Sequence, residues 1–445
     1  MMTFLNRHSS FTRLAASALV AGGMLFALIP GHAQAIEPVQ RVVSPGGIEA
    51  LLIESREVGL ISFRFSFAGG AAQDPADRLG AAYFAGYLFN EGAGDFDTNA
   101  LTARLSRIGA GFAGDTLQGG INVNFSAPSA HQEEAFKLLK LAISAPRYDN
   151  EPMERARRSA LASLEQERVS PGGVAIRRLA QLLYGSSRHA QPIQGTPESL
   201  AVITTADVKT FRERVFARDN LRVAVAGDID ARALSALLDD LFASLPAKAD
   251  LRPAAIPDTA VSHHEAINMD LAQSIVVFGS TLPKLDAKQS LAANVFTQIL
   301  SASFTGRLFK IVREREGLVY SVSAARGVSQ DWETFWGSLG AAPDKSERAL
   351  AMTLQEIERL AKEGPSPEEI EDAKSALRGS TYLGLDTSSN LSAMLLWMLE
   401  HKQPDTFLAE YDAAIASITI DDVRSASRLL VRLDHMQSVS VGKVR

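Results

Sequence analysis

Residues 79–92, LGAAYFAGYLFNEG, have the spacing of a metal-binding helix without its side chains. Two imidazoles four residues apart face the same way on a helix and can bind one Zn²⁺. The positions with this spacing are Tyr83 and Tyr87, and Gly86 comes just before the second. A phenol with a pKa of ~10 is a poor zinc ligand at pH 7, and glycine offers no base. The segment therefore predicts an amphipathic packing helix.

The sequence offers few residues for another kind of metal, thiol or nucleophile site. The chain has no cysteine, which excludes disulfides, thiolate metal sites and a cysteine nucleophile. His263, His264 and Glu265 cluster in sequence, but adjacent residues do not share one face of a helix or strand. We interpret them as solvated residues at the end of a linker. The sequence shows no Gly-rich phosphate loop and no G-x-S-x-G motif.

The N-terminus has the pattern of a cleavable export signal. Arg7 and Arg13 precede an apolar run, and small residues follow up to Ala35. We expect residues 1–35 to be a signal peptide cut after Ala35, and the mature chain to be periplasmic or secreted. An uncleaved anchor helix is the alternative. No later segment is long and apolar enough to cross a bilayer, so we expect no stable membrane insertion after cleavage.

Charge and length narrow the function classes further. The formal net charge is −6 and no basic run is present, which argues against nucleic-acid binding. A chain of 445 residues is too long for one ordinary core. We therefore expect at least two domains.

An internal duplication sets the domain organisation. LGAAYF (79–84) recurs as LAANVF (291–296), EPMERARRSAL (151–161) as PEEIEDAKSAL (367–377), and ITTADV (203–208) as ITIDDV (418–423). The three matches keep the same order and nearly the same separation, as expected for a duplicated fold. The halves meet at a Pro- and Ala-rich stretch without periodicity. We predict domains over 36–247 and 263–445, joined by a linker over 248–262.

Strand and helix patterns occur in both halves. Phenylalanine alternates with serine and arginine in ISFRFSF (61–67), which is typical of a half-buried strand. Further strands are predicted at 121–126, 221–227, 274–279, 318–324, 332–339 and 436–442. Helices are predicted at 78–91, 98–108, 130–144, 150–168 and 173–184. We predict an α+β fold of two homologous domains, each an antiparallel sheet with helices packed on one face.

Together these features resemble the insulinase/pitrilysin family of zinc metallopeptidases, and in particular its smaller processing-peptidase type. The best-marked segment, GRLFKIVREREGLVYSVSA (306–324), looks like that family's C-terminal-half signature. In active members an N-terminal helix carries H-x-x-E-H, whose Glu polarises the attacking water, and a Glu on a later helix completes the site. The resemblance places these positions on Tyr83, Gly86, Tyr87 and Ser163. It therefore implies no metal and no cofactor in this chain.

The resemblance also implies a second set of residues. Active members use an Arg and a Tyr, seven residues apart, that point toward the zinc from the C-terminal half. Arg313 and Tyr320 have this spacing, with Gly317 between them for a positive-φ turn. The guanidinium would hold the substrate's main chain, and the phenol would donate a hydrogen bond to the developing oxyanion. The alternative is a solvated Arg at a helix end and a Tyr in a half-buried strand.

Some members of the family divide the site between two chains. The resemblance thus implies the non-catalytic subunit of a heterodimeric, periplasmic, zinc-dependent endopeptidase. Its partner would be a homologous subunit that carries H-x-x-E-H and the zinc, and the substrate an extended peptide. The alternatives are a catalytically dead scaffold or peptide-binding protein of the same fold, and an independent hydrolase with another site. ILSASFTGRLF (299–309) has Gly306 alone where the mitochondrial non-catalytic subunit has a glycine-rich loop, which argues against presequence capture of the mitochondrial kind.

Overall fold

The computed structural model describes residues 37–252, 256, 261–329 and 332–443. Residues from Glu37 onward form one compact unit. The predicted signal peptide, residues 1–35, lies outside the described residues.

The first half alternates strands and helices as its sequence pattern indicates. Its strands are β1 (Gln40–Val43), β2 (Glu49–Glu54), β3 (Leu60–Ala68), β4 (Gly92–Ala93), β5 (Phe96–Asp97), β6 (Gly111–Thr116), β7 (Gly120–Pro128) and β8 (Leu221–Gly227). Its helices are α1 (Ala81–Tyr87), α2 (Thr98–Arg107), α3 (Gln132–Ser144), α4 (Asn150–Val169), α5 (Pro171–Tyr184), α6 (Pro197–Val202), α7 (Thr205–Val215) and α8 (Ala231–Phe242). The predicted first-half helices and strands are confirmed to within a few residues.

The second half repeats this arrangement. Its strands are β9 (His263–Asn268), β10 (Ser274–Leu282), β11 (Val319–Val328), β12 (Glu333–Ala341) and β13 (Gln437–Gly442). Its helices are α9 (Ala287–Ser301), α10 (Ser346–Glu363), α11 (Pro367–Leu383), α12 (Ser388–Glu400), α13 (Phe407–Ser417) and α14 (Ile420–Leu430), and a π-helix covers Phe309–Arg315.

The two main sheets have equivalent strand orders, except that the first has the additional edge strand β1. The first is β1-β2-β8-β3-β7-β6, and the second, read from its opposite edge, is β9-β13-β10-β12-β11. In each sheet one pair is parallel, β2 with β8 and β13 with β9. The other pairs are antiparallel. The predicted α+β fold of two homologous domains is confirmed, with the difference that each mainly antiparallel sheet contains this one parallel pair.

One repeated sequence marks a helix start in both halves. In ITTADV, the Thr204 side chain caps α7, and the Asp207 carboxylate accepts a hydrogen bond from the backbone N–H of Thr204. In ITIDDV, Thr419 and Asp422 form the same capping box at α14. Such reciprocal caps satisfy backbone N–H groups that the first helical turn leaves free. The repeat therefore encodes a local structural need as well as common ancestry.

Each half exchanges one helix with the other. Helix α5 packs on β13 and β10, and α12 packs on β8, β3 and β2. As a result both faces of β3 are covered: Phe63 and Phe65 lie in the first-half core, and Ser62 on the opposite face is 3% exposed. The prediction of a half-buried β3 is wrong because a helix distant in sequence covers the polar face.

Candidate functional site

Helix α1, the helix with metal-site spacing, is fixed at its N-terminus by a buried carboxylate. Asp74 accepts hydrogen bonds from the backbone N–H of Gly80 (2.6 Å) and Ala82 (2.8 Å). Burial raises the pKa of Asp74 to about 7, against the opposing effect of these two N–H donors and the charges of Arg188 and Arg214. The carboxylate therefore serves the helix start and is not aimed at a reaction centre.

Tyr83 and Tyr87 lie side by side on α1, both partly buried, with ring centroids 5.9 Å apart. Helix α4 lies alongside, and the side chain of Ser159 on α4 is near the phenol of Tyr83. Ser163, one turn further along α4, accepts a hydrogen bond from the Gln194 amide at 3.5 Å. Burial raises the pKa of Tyr83, which makes its phenolate, the form that binds metal, less accessible still.

Gly86 is held in close contact with strand β6. A Cβ atom added at Gly86 would lie 2.3 Å from Thr116 Oγ1, and one added at Gly114 would lie 2.4 Å from the carbonyl oxygen of Gly86. Thr116 Oγ1 itself donates to the carbonyl of Ala82 at 3.0 Å. The place of a catalytic Glu side chain is therefore occupied by a threonine hydroxyl and a strand backbone.

Across the described ranges, the structure shows no group of three or more His, Cys, Asp or Glu side chains able to hold a metal ion. His263 and His264, interpreted from sequence as solvated linker-end residues, belong instead to edge strand β9. The ring Nδ1 of His264 lies 2.8 Å from Ser438 Oγ on neighbouring β13. The interpretation as solvated residues is confirmed, since both side chains are exposed, whereas their place in a strand was not predicted because it depends on parallel pairing of β9 with the distant β13.

Arg313 lies on an unusual helical turn. The segment Phe309–Arg315 is a π-helix, a form often found at functional sites. The exposed guanidinium of Arg313 lies 4.8 Å from the centroid of the Phe309 ring, and Phe304, 74% exposed, packs edge-on against that ring at 5.3 Å. The stack restricts Arg313 without an ion pair, so its charge remains available.

Tyr320 lies at a β-bulge on an edge strand. In the pairing of β11 with β12, Val319 lies opposite Ala341 and Ser321 opposite Gly340, which leaves Tyr320 as the extra residue. Bulges re-aim side chains, and the Tyr320 side chain is 55% exposed. Gly317, with φ +60°, provides the predicted positive-φ turn into β11.

Three features of this segment were missed from the sequence: the π-helix, the bulge and Phe304. The residue pattern of FKIVRER does not distinguish a π-helix from an α-helix. The two differ only in whether each backbone hydrogen bond spans five residues or four. The exposed Phe304 stood in the sequence as an aromatic residue among small polar ones, and that signal could have identified it.

Comparison with known proteins gives consistent matches. The family model "Peptidase M16 inactive domain" matches residues 203–377. A "Non-peptidase homolog YmxG" of Helicobacter pylori is 24% identical over 326 residues, covering 73% of this chain and 76% of the relative. An "Uncharacterized zinc protease" of Streptomyces coelicolor is 27% identical over 424 residues, covering 90% and 89%.

Solved structures show the same fold. A peptidase M16 inactive domain from Pseudomonas fluorescens superposes with a TM-score of 0.85 at 26% identity, covering 92% of this chain and 98% of that one. A protease from Helicobacter pylori gives a TM-score of 0.82 at 16% identity, covering 91% and 99%.

The duplicated fold and the packed helix α1 define a peptidase-like protein whose metal-helix positions carry no zinc ligands. The matched family model, the relatives and the solved inactive domain support an insulinase-type (M16) protein of the non-catalytic kind. No helix among the described residues is long and apolar enough to span a membrane.

Proposed function

We propose that this chain is the Arg- and Tyr-bearing subunit of a heterodimeric, periplasmic, zinc-dependent endopeptidase. A homologous partner holds the zinc on an H-x-x-E-H helix, and this chain binds no metal itself. Arg313 and Tyr320 complete the partner's site and bind an extended peptide. The functional division follows the predicted domains, with a packing role for 36–247 and the contributing residues in 263–445.

The observation that carries the proposal is the contrast in exposure between two sets of residues. The metal-helix positions on α1 are buried or partly buried in packing contacts, whereas the side chains of Arg313 and Tyr320 are exposed. In the described part of the chain, no side-chain hydrogen bond or ion pair engages the guanidinium of Arg313, which stacks on Phe309, or the phenol of Tyr320. Positioned but unengaged donors are what an oxyanion and a peptide backbone require from a second subunit.

Two further structural neighbours share the fold, and one of them is a periplasmic protein. The periplasmic protease PqqL from Escherichia coli matches 97% of this chain with a TM-score of 0.79, and this chain spans 49% of its length. A chain of complex III from Candida albicans matches 91% with a TM-score of 0.76. At 14% and 15% identity these likenesses concern the fold, and the first agrees with the export signal.

The test is reconstitution with a homologue that carries H-x-x-E-H. Each chain is purified alone and the two are mixed, and cleavage of an unfolded polypeptide is followed with and without a zinc chelator. We expect cleavage by the pair alone, and its loss in chelator. Chelator-insensitive cleavage by this chain on its own would contradict the proposal and favour an independent hydrolase.

A scaffold or peptide-binding protein of the same fold is the second candidate. It is favoured by the name "Non-peptidase homolog" of one relative and by the occupied space at Gly86. If the pair assembles and cleaves peptide equally well with Arg313→Ala and Tyr320→Phe, the scaffold function is the correct one.

A further inference from the structure

The outer face of the first-half sheet carries a polar cluster beside α12. Ser66 on β3 lies between Asn122 on β7 and Arg222 on β8, and Arg64 lies opposite Asn124. Side chains of directly paired residues point to the same face of a sheet. These five side chains therefore share one patch, which we call the outer-face polar cluster.

Three atoms of the cluster are buried without a hydrogen-bond partner in the described part of the chain: Ser66 Oγ, Asn122 Oδ1 and Arg222 Nη1. Ser66 is 0% exposed. Buried polar groups of this kind are rare in folded proteins and costly when left unpaired. Their concentration on three neighbouring strands indicates a place for a polar ligand.

The cluster has an excess of positive charge. Within the described ranges neither Arg64 nor Arg222 forms an ion pair; Arg64 donates instead to the neutral side chains of Ser389 (2.9 Å), Ser392 (3.1 Å) and Asn124. Burial lowers the pKa of Arg64, as expected for a cation without a carboxylate to offset its desolvation.

Three acidic residues lie around the cluster, and within the described ranges none of them forms an ion pair with Arg64 or Arg222. Glu49, at the start of β2, pairs with Arg41 at 2.8 Å. Asp115 lies opposite Asn122 on β6 and is exposed at the rim. Asp386, just before α12, accepts from the Asn390 amide at 3.0 Å.

The N-terminus of α12 adds to the positive potential. Ser62 contacts Ser392 at 2.8 Å and Arg64 contacts Ser389, so the path along β3 toward Ser66 approaches the first turn of the helix. The Arg64 guanidinium thus lies at the positive end of the α12 dipole, where anions are stabilised.

We propose that the outer-face polar cluster binds a small oxyanion, a carboxylate or a phosphate group. Arg222 Nη1 and Ser66 Oγ donate to it directly, and Asn122 donates through Nδ2 after a 180° rotation of its amide, an orientation assigned by convention from hydrogen-bond partners. Arg64 supplies charge from the adjacent row. The free anion and the C-terminal carboxylate of a peptide are the two sources of this chemistry.

Thermal unfolding of the chain tests the proposal at fixed ionic strength. Inorganic phosphate, a short peptide with a free C-terminus and the same peptide amidated are titrated against a chloride reference. We expect a saturable rise in Tm with phosphate or the free peptide. A response to the free peptide that the amidated one lacks assigns the carboxylate source, and a response to phosphate alone assigns the free anion. No saturable response to either would overturn the proposal.

Variants locate the effect. Arg222→Gln should weaken the binding ~10-fold or more, the scale of a lost charged hydrogen bond, and should leave Tm without anion unchanged or raised because an uncompensated cation is removed. Ser66→Ala, which removes one hydroxyl, should weaken it less. The matched control is Arg56→Gln, since the Arg56 side chain is 71% exposed. Equal anion responses in Arg222→Gln, Ser66→Ala and wild type would show that the cluster is not the site.

Discussion

The α1 region of the first half is packed and largely buried, whereas the 309–320 segment of the second half exposes the side chains of Arg313 and Tyr320. At α1 every position with catalytic spacing is engaged in packing, and Gly86 meets Thr116 so closely that no side chain fits. At 309–320 a π-helix, a left-handed glycine and a bulge hold Arg313 and Tyr320 toward solvent. In the 309–320 segment, irregular backbone places two side chains in solvent. At α1, close packing occupies the space where a catalytic side chain would lie.

The largest expected effect comes from removing the functional groups of the exposed pair, Arg313 and Tyr320. Arg313→Ala or Tyr320→Phe should lower turnover of the reconstituted enzyme ~10²-fold, the scale for one lost oxyanion donor, while subunit assembly stays intact. Steady-state cleavage of a fluorogenic peptide measures this.

Two other side chains serve as controls for the exposed pair. Arg315→Ala removes a 63%-exposed cation from the same turn, and Tyr382→Phe removes a phenol of similar exposure elsewhere, at 46%. Both should keep wild-type turnover. Losses as large as those of Arg313→Ala would show that surface charge or aromatic content, not position, is responsible.

The packing at α1 can be tested by one methyl group. Gly86→Ala should destabilise the chain by about 2 kcal/mol, because overpacking a close contact costs about 1–3 kcal/mol. In a Thr116→Ala background the cost should largely vanish, since the next atoms lie 3.5 Å from the added Cβ. Urea unfolding gives both values.

Gly379 on α11 is the matched control, since an added Cβ there meets nothing within 4 Å. Gly379→Ala should stabilise the chain by roughly 0.5–1 kcal/mol through helix propensity. If Gly86→Ala stabilises the chain as much, the α1–β6 contact is not tight.

Introducing zinc ligands at the α1 positions tests whether this helix can be converted into a metal site. The variant Tyr83→His/Gly86→Glu/Tyr87→His should bind no stoichiometric zinc, because two imidazoles leave the metal without the third protein ligand that catalytic zinc sites use. Adding Ser163→Glu and Thr116→Ala should give about one zinc per chain by elemental analysis. Tight stoichiometric zinc in the first variant would mean that Ser163 is not the distal position.

A further expected effect, which depends on pH, concerns the start of α1. Asp74 has a folded pKa of about 7, above the unfolded value of ~3.9. The folded state therefore binds the extra proton, and this contribution to stability is lost as pH rises from about 4 to about 7. One proton sets a ceiling of about 1.4 kcal/mol per pH unit on the slope.

Asp74→Asn should flatten this part of the stability–pH curve, measured by denaturant unfolding at several pH values. Asp77→Asn is the control on the same loop, with a side chain 75% exposed, and should keep the wild-type slope. An unchanged slope in Asp74→Asn would assign the pH dependence to another group.

Much of the fold was predictable because its signals are local. Several of these signals depend on residues only a few positions apart. They are the alternation in β3, the capping threonines Thr204 and Thr419, and the Ser366–Glu369 capping box that starts α11. The repeated segments extended these local signals to the domain level. The burial of Ser62 and the pairing of β9 were not predictable, since each depends on an element more than 100 residues away.

The sequence by itself determined that this protein is a duplicated α+β chain, and that its metal-helix positions hold phenols and a glycine in place of imidazoles and a carboxylate. Residue identity decides ligand chemistry, so no structure was needed for that conclusion. Only the tertiary structure decided that Thr116 fills the space beside Gly86, that a bulge presents Tyr320, and that α12 covers Arg64 without supplying it a carboxylate. These facts depend on distances between atoms far apart in the chain, which close packing fixes and spacing along the sequence does not.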